Sequence, residues 1–395
     1  MGYGRFFLVL IFSAVGFFGI FAGINYVIDP YGIYHLEYPL WLGIGNKPSA
    51  EQGSYSRMIR PYRFRFYNPD LIFFGSSRAE IGLDPLSADL GGRSAFNFGQ
   101  GKMEWEENLE LTKYASDHRP QAHLIYGVDF AMLNRSIPIN PSFRKERLSA
   151  TLGAFVGSGD MLQSLLSFTT FQLSSNLAAL DHSSYCRFYR CLYARGRNIV
   201  NIWAQNIYEI RKELRHFMLQ SRTFDADYMV LDHSNPKYAA FVELVRFLYQ
   251  SSHKATFFLS PSHAEQVEAI RAYGSYGHYE DWKRAMVSIL EAQARRYKKN
   301  TIALWDFQGY NGITTIIPDR KDISTLGYHL ESSHYTKKTG DMVLRRVLGV
   351  RQGELPNDFG VLLTKDNIEE HLQQQRLSQQ EYHKKLKALK IRKLR

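Results

Sequence analysis

From Phe6 to Ile28 the chain runs through 23 residues without a charge, FFLVLIFSAVGFFGIFAGINYVI. About 20 apolar residues in a helix cross the hydrocarbon core of a bilayer, and a helix satisfies every backbone polar group within such a segment. The run is expected to be one membrane-spanning helix. A cleavable signal peptide is the competing reading, but its apolar region covers about 7–15 residues and ends on small residues at a cleavage site. No such site follows Ile28, so an uncleaved anchor is preferred. Arg5 and the terminal amine precede the span, whereas Asp29, His35 and Glu37 follow it. The positive-inside bias then places the body on the far side of the membrane. In a bacterial cell this means a single-pass protein of the inner membrane with its body in the periplasm or at the outer surface.

A formal net charge of +11 raises nucleic-acid binding as a possibility until the charge is located. Residues 373–395 alone hold eight Lys or Arg against one Glu. An extracytoplasmic body with its excess charge in one tail argues against a nucleic-acid partner. The tail is expected to form a basic helix or to remain disordered, and to meet anionic lipid or glycan at about 1 kcal/mol per basic residue near a membrane surface. Two cysteines, Cys186 and Cys191 in YCRFYRC, can close a small disulfide loop in an oxidising compartment or remain thiols. With no second pair they make a poor zinc site, which usually wants four ligands.

Four apolar runs read as buried strands: DLIFFGSS from Asp70, AHLIYGVDF (122–130), KATFFLSPS (254–262) and TIALWDF (301–307). Between them, EWEENLELTKYAS (104–116), AEQVEAIRAYG (264–274) and EDWKRAMVSILEAQARRYKK (280–299) carry apolar residues three or four apart, as helices do. Strands alternating with helices predict an α/β fold with a doubly wound, mostly parallel sheet. The stretch from about 132 to 250 is too long for one crossover and is read as a mostly helical insertion. The expected organisation is an anchor over 1–30, an α/β domain over 31–350 that carries this insertion, and a C-terminal extension over 351–395 with the basic tail. Residues between the anchor and Asp70, rich in Pro, Gly and Tyr without a steady period, read as a connector packed on the domain.

In an open parallel sheet, ligands gather beyond the carboxyl ends of the strands, where Gly75-Ser76-Ser77 would lie. Ser77 is in the position of a nucleophile, with Ser76 pointing back toward the sheet or capping the turn; glycine and serine are also common turn formers. Glu331 and His334 in YHLESSHYTKKTGD are three residues apart, a spacing that on a helical turn puts both side chains on one face. A carboxylate there can accept the imidazole Nδ1 proton and leave Nε2 to take a serine proton. His329, Glu331 and His334 do not form the adjacent His-Glu of the zinc helix motif, so no metal is assigned. FGQGKME lacks the third glycine of a dinucleotide site and GSSRAEIG lacks the lysine of a phosphate-binding loop, so no cofactor is implied.

These residues resemble the SGNH, or GDSL-like, serine hydrolases, a superfamily with a flavodoxin-like three-layer fold. Gly75-Ser76-Ser77 fits its nucleophile block, FNFGQG (96–101) its glycine block, and Glu331-Ser332-Ser333-His334 its final Asp-x-x-His with Glu for Asp. The resemblance implies a Ser77, His334 and Glu331 triad, with an oxyanion held by the backbone N–H groups of Ser77, Gly99 and Gly101. The third block falls on Gly127 to Phe130, where the family's oxyanion-binding Asn is replaced by Val128 or Asp129; an ionised Asp would repel developing negative charge. Arg78, Asn97, Asp129 and His263 are candidates to line the substrate, although for Arg78 a pairing with Asp84 or Asp129 is preferred to facing an anionic group. Ser260, Ser262, Trp305, Asp306, Tyr310 and Asn311, at the ends of later strands, are further lining candidates, though buried aromatic anchors are the commoner use of such positions. The anchor and the Gly-Ser-Ser form are similar to extracytoplasmic proteins of teichoic-acid D-alanylation and alginate O-acetylation. Those proteins work beside membrane-bound O-acyltransferases on cell-surface polysaccharides.

The implied function is an acyl-ester enzyme, transferring an acyl group to a glycan or hydrolysing one from it. The alternative is a catalytically silent protein of the same fold that grips a glycan or assembles a membrane complex.

The topology has a direct check. The full chain should stay with the membrane fraction through a high-salt wash and be cut only by protease added on the extracytoplasmic side. Release by salt would instead assign attachment to the basic tail.

Overall fold

The computed structural model describes residues 3–31, 33–34, 56–149, 152–157, 159–179, 204–220, 223–251, 253–350 and 355–391. Cys186 and Cys191 lie outside them. The chain divides into two compact units, Met1–Tyr67 with Pro141–Ala194, and Asn68–Asn140 with Arg195–Arg395.

In the first unit, helix α1 (Tyr3–Ile28) is long and apolar enough to span a membrane, and its residues up to Ile20 are exposed on every side. Asp29 ends it: the backbone takes a φ of +42° there and the carboxylate accepts the N–H groups of Ile33 (2.9 Å) and Tyr34 (3.0 Å). The segment read as a connector contains a fully buried helix, α2 (Ser56–Phe64), in place of irregular chain. Met58, Ile59 and Tyr62 of α2 form a small core with Tyr31 and Ile33, which supplies the tertiary packing that a nine-residue helix needs. Among the described residues, the unit also contains α5 (Leu152–Gly157), α6 (Asp160–Leu166) and α7 (Phe168–Ala179).

The second unit is an α/β sandwich. Its strands are β1 (Leu71–Gly75), β2 (Ala95–Asn97), β3 (His123–Val128), β4 (Ala255–Leu259), β5 (Ala303–Asp306) and β6 (Val361–Leu363), in the order β2-β1-β3-β4-β5-β6. All pairs are parallel except β5 with β6. The chain leaves β1 toward one edge and returns to β3 on the other side, so the topological switch lies between β1 and β3.

Period-two alternation decides which side chains each face buries. Phe73, Ile125 and Phe258 face one core together with α3 (Ser77–Gly82) and α12 (Lys337–Leu348). Phe74, Tyr126 and Phe257 face the other, their rings stacked at 4.8 Å from strand to strand. That second face is covered by α4 (Trp105–His118), whose Thr112 hydroxyl bonds the Tyr126 hydroxyl at 2.9 Å, and by α9 (Pro236–Ser251), whose Phe241 meets Phe257 edge-on. Helices on both faces make three layers.

Helix α9 is thus the crossover into β4, while residues 141–194 group with α1. The division cuts through the stretch 132–250 and does not follow its ends. Between them lies α8 (Ile207–Gln220), joined by Arg211 to Glu265 (2.7 Å) of α10 (Ala264–Ala272). The C-terminal extension is part of the same unit. It supplies β6 and α13 (Ile368–Ala388), whose Tyr382 donates to Glu265 (2.7 Å), while Arg376 Nε donates to Glu280 (2.9 Å) of α11 (Tyr276–Tyr297).

One contact fixes α12 against α3. A methyl group on Gly340 would sit 1.8 Å from the carbonyl oxygen of Gly82. The two backbones touch, and no side chain fits between them. Gly340→Ala should therefore lower stability by about 1–3 kcal/mol, the cost of overpacking, read as an earlier midpoint in denaturant unfolding of the detergent-solubilised chain. Gly277→Ala in α11, where nothing lies within 4 Å of the added methyl, should leave the midpoint unchanged or raise it.

Candidate functional site

The site starts from the exit of β1. Gly75 has a φ of +138°, a conformation that side chains oppose, and a Cβ there would also lie 2.5 Å from the carbonyl oxygen of Gly127. Only glycine lets the chain turn here directly into α3. Ser76 is the N-cap of that helix: its Oγ accepts the N–H of Arg78 at 3.2 Å and donates to the Asp129 carboxylate. Ser77, the first helical residue, is partly exposed and points the other way.

Opposite it stands the loop 329–335, closed by an antiparallel bridge between His329 and Tyr335 and by the Leu330 N–H bonding the His334 carbonyl (2.9 Å). The spacing of Glu331 and His334 works here without a helical turn. Glu331 folds the loop around its own carboxylate, which accepts the N–H groups of Ser333 (2.7 Å) and His334 (2.8 Å) and the Nδ1 of the His334 ring. A carboxylate only accepts, so Nδ1 carries a proton, and in the neutral ring this leaves the lone pair on Nε2. His334 Nε2 lies 2.7 Å from Ser77 Oγ, close enough to accept its hydroxyl proton. Burial alone would push the Glu331 carboxyl up, but the hydrogen bond and charge of His334, with the two backbone N–H groups, outweigh it and hold the group at about 2.

Arg78 ties the two halves together. Its Nη1 pairs with Asp129 at 2.9 Å and its Nε donates to the Ser333 carbonyl at 2.8 Å. Arg78 therefore pairs with Asp129, not Asp84, and braces the histidine loop instead of facing a substrate. Asp129, 1% exposed, serves Ser76 and Arg78 through Oδ2 and lines no open space, while its Oδ1 has no partner.

Other expected site residues turn out to hold the frame. Asn97 donates through Nδ2 to the carbonyls of Ala79 (3.0 Å) and Leu83 (2.8 Å) and accepts the Gly99 N–H (2.7 Å), fastening the end of β2 to α3. The Gly101 N–H donates to Glu80 (3.0 Å). With the amides of Gly99 and Gly101 committed, the Ser77 N–H, which as the first of a helix has no intrahelical acceptor, is the remaining member of the expected oxyanion set.

His263 is fully buried as the N-cap of α10, accepting the Glu265 N–H through Nδ1 (3.2 Å) and donating from Nε2 to the Ile316 carbonyl (2.9 Å). Burial brings its pKa down to about 4, so it is a neutral cap and not a substrate group. His329 donates to the Pro261 carbonyl at 2.9 Å. Asp306 pairs with Lys283 of α11 (2.6 Å) and His371 of α13 (2.8 Å), which joins both helices to the sheet end, while Tyr310 donates to Glu268 of α10 (2.5 Å) and Asn311 caps its own turn. Ser262 accepts from Gln308 (3.0 Å), and Ser260 is fully buried.

Compared with known protein families and with curated proteins, the sequence gives no match to either.

Ser333 is the residue that sequence reasoning missed. It supplies the carbonyl that Arg78 grips and the N–H that Glu331 holds, both through its backbone, and a backbone role leaves no trace in side-chain identity.

The depressed Glu331 carboxyl makes stability depend on acid. It stays charged in the folded chain down to pH about 2, while the unfolded chain takes up the proton near 4.5. Its contribution is complete above about pH 4.5 and is lost as pH falls toward 2. Between pH 7 and pH 3 the protein should lose about 2 kcal/mol more than its Glu331→Gln variant, read from urea midpoints at the two pH values. Equal losses would mean that Glu331 is not held as a carboxylate.

Proposed function

We propose that the chain is an SGNH-like serine enzyme acting on acyl esters, with Ser77 as nucleophile, His334 as general base and acid, and Glu331 orienting the imidazole. One observation carries this reading: Ser77 Oγ, His334 and Glu331 form a continuous hydrogen-bonded relay across 257 residues of sequence, at the carboxyl edge of a parallel sheet. Ser77 Oγ attacks the acyl carbonyl carbon while its proton passes to His334 Nε2. The imidazolium then protonates the departing alkoxide, leaving an acyl group on Ser77. A sugar hydroxyl or water, deprotonated by His334, attacks this ester, and Ser77 regains its proton as it leaves. Attachment to a membrane supports transfer over hydrolysis, from a membrane-bound O-acyltransferase or its product to a cell-surface polysaccharide.

A second reading, a catalytically silent glycan-binding or assembly protein, has its own observation. The amides of Gly99 and Gly101 are already bonded and the third block offers Asp129 where a donor is wanted. Loss of one oxyanion donor typically costs ~10²–10³ in rate.

A serine-directed phosphonate separates the two. The folded wild type should be labelled at Ser77, and Ser77→Ala should abolish the label. His334→Ala should slow it by roughly 10²–10⁴, the usual contribution of a general base, while Ser76→Ala should reduce it modestly. Labelling that survives Ser77→Ala would move the chemistry elsewhere, and a folded wild type that resists every acyl or phosphonate probe would favour the silent protein.

A further inference from the structure

Residues 148–180 contain one charged side chain, Asp160. A soluble surface segment of that length would carry about eight. Asp160 is itself buried, paired bidentately with Arg147 (2.7 and 2.8 Å) and accepting the Tyr62 hydroxyl (2.9 Å). The outward faces of α5, α6 and α7 are therefore uncharged. They expose Val156 (48%), Leu162 (56%) and Phe168 (66%), and the exposed polar residues of α7, such as Thr169 and Gln172, are neutral.

Helices α6 and α7 pack on α1 well inside its end. Phe171 stacks on Phe21 at a ring separation of 4.6 Å, and the fully buried Asn25 donates to the Leu165 carbonyl (2.8 Å) and accepts from Ser174 (2.9 Å). Phe21 precedes Ile28 by seven residues, which at 1.5 Å per residue puts the stack about 10 Å below the end of the helix. The uncharged span Phe6–Ile28 is about 34 Å long, only slightly more than the ~30 Å hydrocarbon core, so Phe21 lies below the interface if α1 crosses the bilayer. The turn between α6 and α7 is also closed on itself. Thr170 donates to the Gln163 carbonyl (2.5 Å), while the Thr170 N–H and the Gln163 amide both donate to Ser167 Oγ (3.1 Å each), the internal satisfaction that lipid demands of a polypeptide.

We infer that α6 and α7 are embedded in the leaflet at the C-terminal end of α1, with Leu162, Leu166 and Phe168 against lipid acyl chains. This inference rests on α1 crossing the membrane and is independent of the chemistry proposed for Ser77.

Depth-dependent quenching tests it. The full chain, with Cys186→Ser and Cys191→Ser, carries Leu166→Cys labelled with an environment-sensitive fluorophore and is reconstituted into phosphatidylethanolamine–phosphatidylglycerol vesicles. The expected result is blue-shifted emission, strong quenching by lipids bearing a doxyl group high on the acyl chain, and little quenching by aqueous iodide. Ile323→Cys, at a position 82% exposed in the α/β unit, should show the reverse. Phe168→Cys provides a second reporter should the first fail to fold. A label on α6 or α7 that iodide reaches as easily as at residue 323 overturns the inference. So does one shielded from both quenchers, which would mean that protein, such as a second copy of the chain, covers this face.

Discussion

Two glycines in contact set the geometry on which the rest of the site depends. Helix α3 begins with Ser77 and ends at Gly82; α12 begins three residues after His334 and places Gly340 on the Gly82 carbonyl. Any side chain at this crossing would lift α12 from the sheet and carry the histidine loop away from the serine. The ring of Tyr335, buried beside His334, occupies the space that a Cβ on Gly82 would need, 1.8 Å from its nearest atom. Both partners of the relay are thus referred to one packed layer, and a 2.7 Å hydrogen bond between residues 77 and 334 follows from packing as much as from polar attraction.

Polar groups then lock what packing brings near. At the sheet's carboxyl edge three acids, two of them buried, fix the segments around the site: Asp129 joins the β3 exit to α3, Asp306 joins α11 to α13, and the partly buried Glu331 closes the histidine loop. Each is compensated by a cation, by an imidazole or by several N–H groups, as a buried carboxylate must be. Asp306 shows the balance clearly. Burial would raise its pKa, yet Lys283 and His371 bring it down to about 2.

The parts of this architecture legible in sequence are those written in side-chain periodicity. Four apolar runs became β1, β3, β4 and β5, and three amphipathic stretches became α4, α10 and α11, because burial of alternate or every third and fourth residue dictates type and position together. Strands β2 and β6, three residues each, carry too few positions for a period to be seen. Helix α2 was hidden by Pro61 and its three arginines, and its burial depends on partners far along the chain. Glu331 and His334 could be paired from their spacing, and Ser77 joined them through its place after a strand and the resemblance to a known family. Asn97, Asp129 and His263 were misjudged for a common reason: a polar residue at a strand end is equally suited to a ligand or to a helix terminus, and only the positions of the nearby backbone groups decide. For Asn97 and His263, backbone groups had taken the valences that a substrate would have used, while Asp129 is buried and spends one oxygen on Ser76 and Arg78.

Asp129 bears most directly on the proposed reaction, and its pairing changes the electrostatic expectation. An isolated carboxylate beside the nucleophile would oppose the negative charge that develops on an attacked carbonyl. Arg78 lies 2.9 Å from Asp129, so the pair presents a short dipole and not a net charge, and its field falls off much faster with distance. The guanidinium also fixes the Ser333 carbonyl, so the group that cancels the acid braces the loop carrying His334. Against the Asn that the SGNH resemblance leads one to expect, Asp129 would lack a hydrogen-bond donor and add little repulsion. For the acyl transfer proposed above, the Ser77 N–H is the member of the expected oxyanion set left uncommitted among the described residues, so a second donor brought by the acyl substrate or by a membrane partner would complete the site.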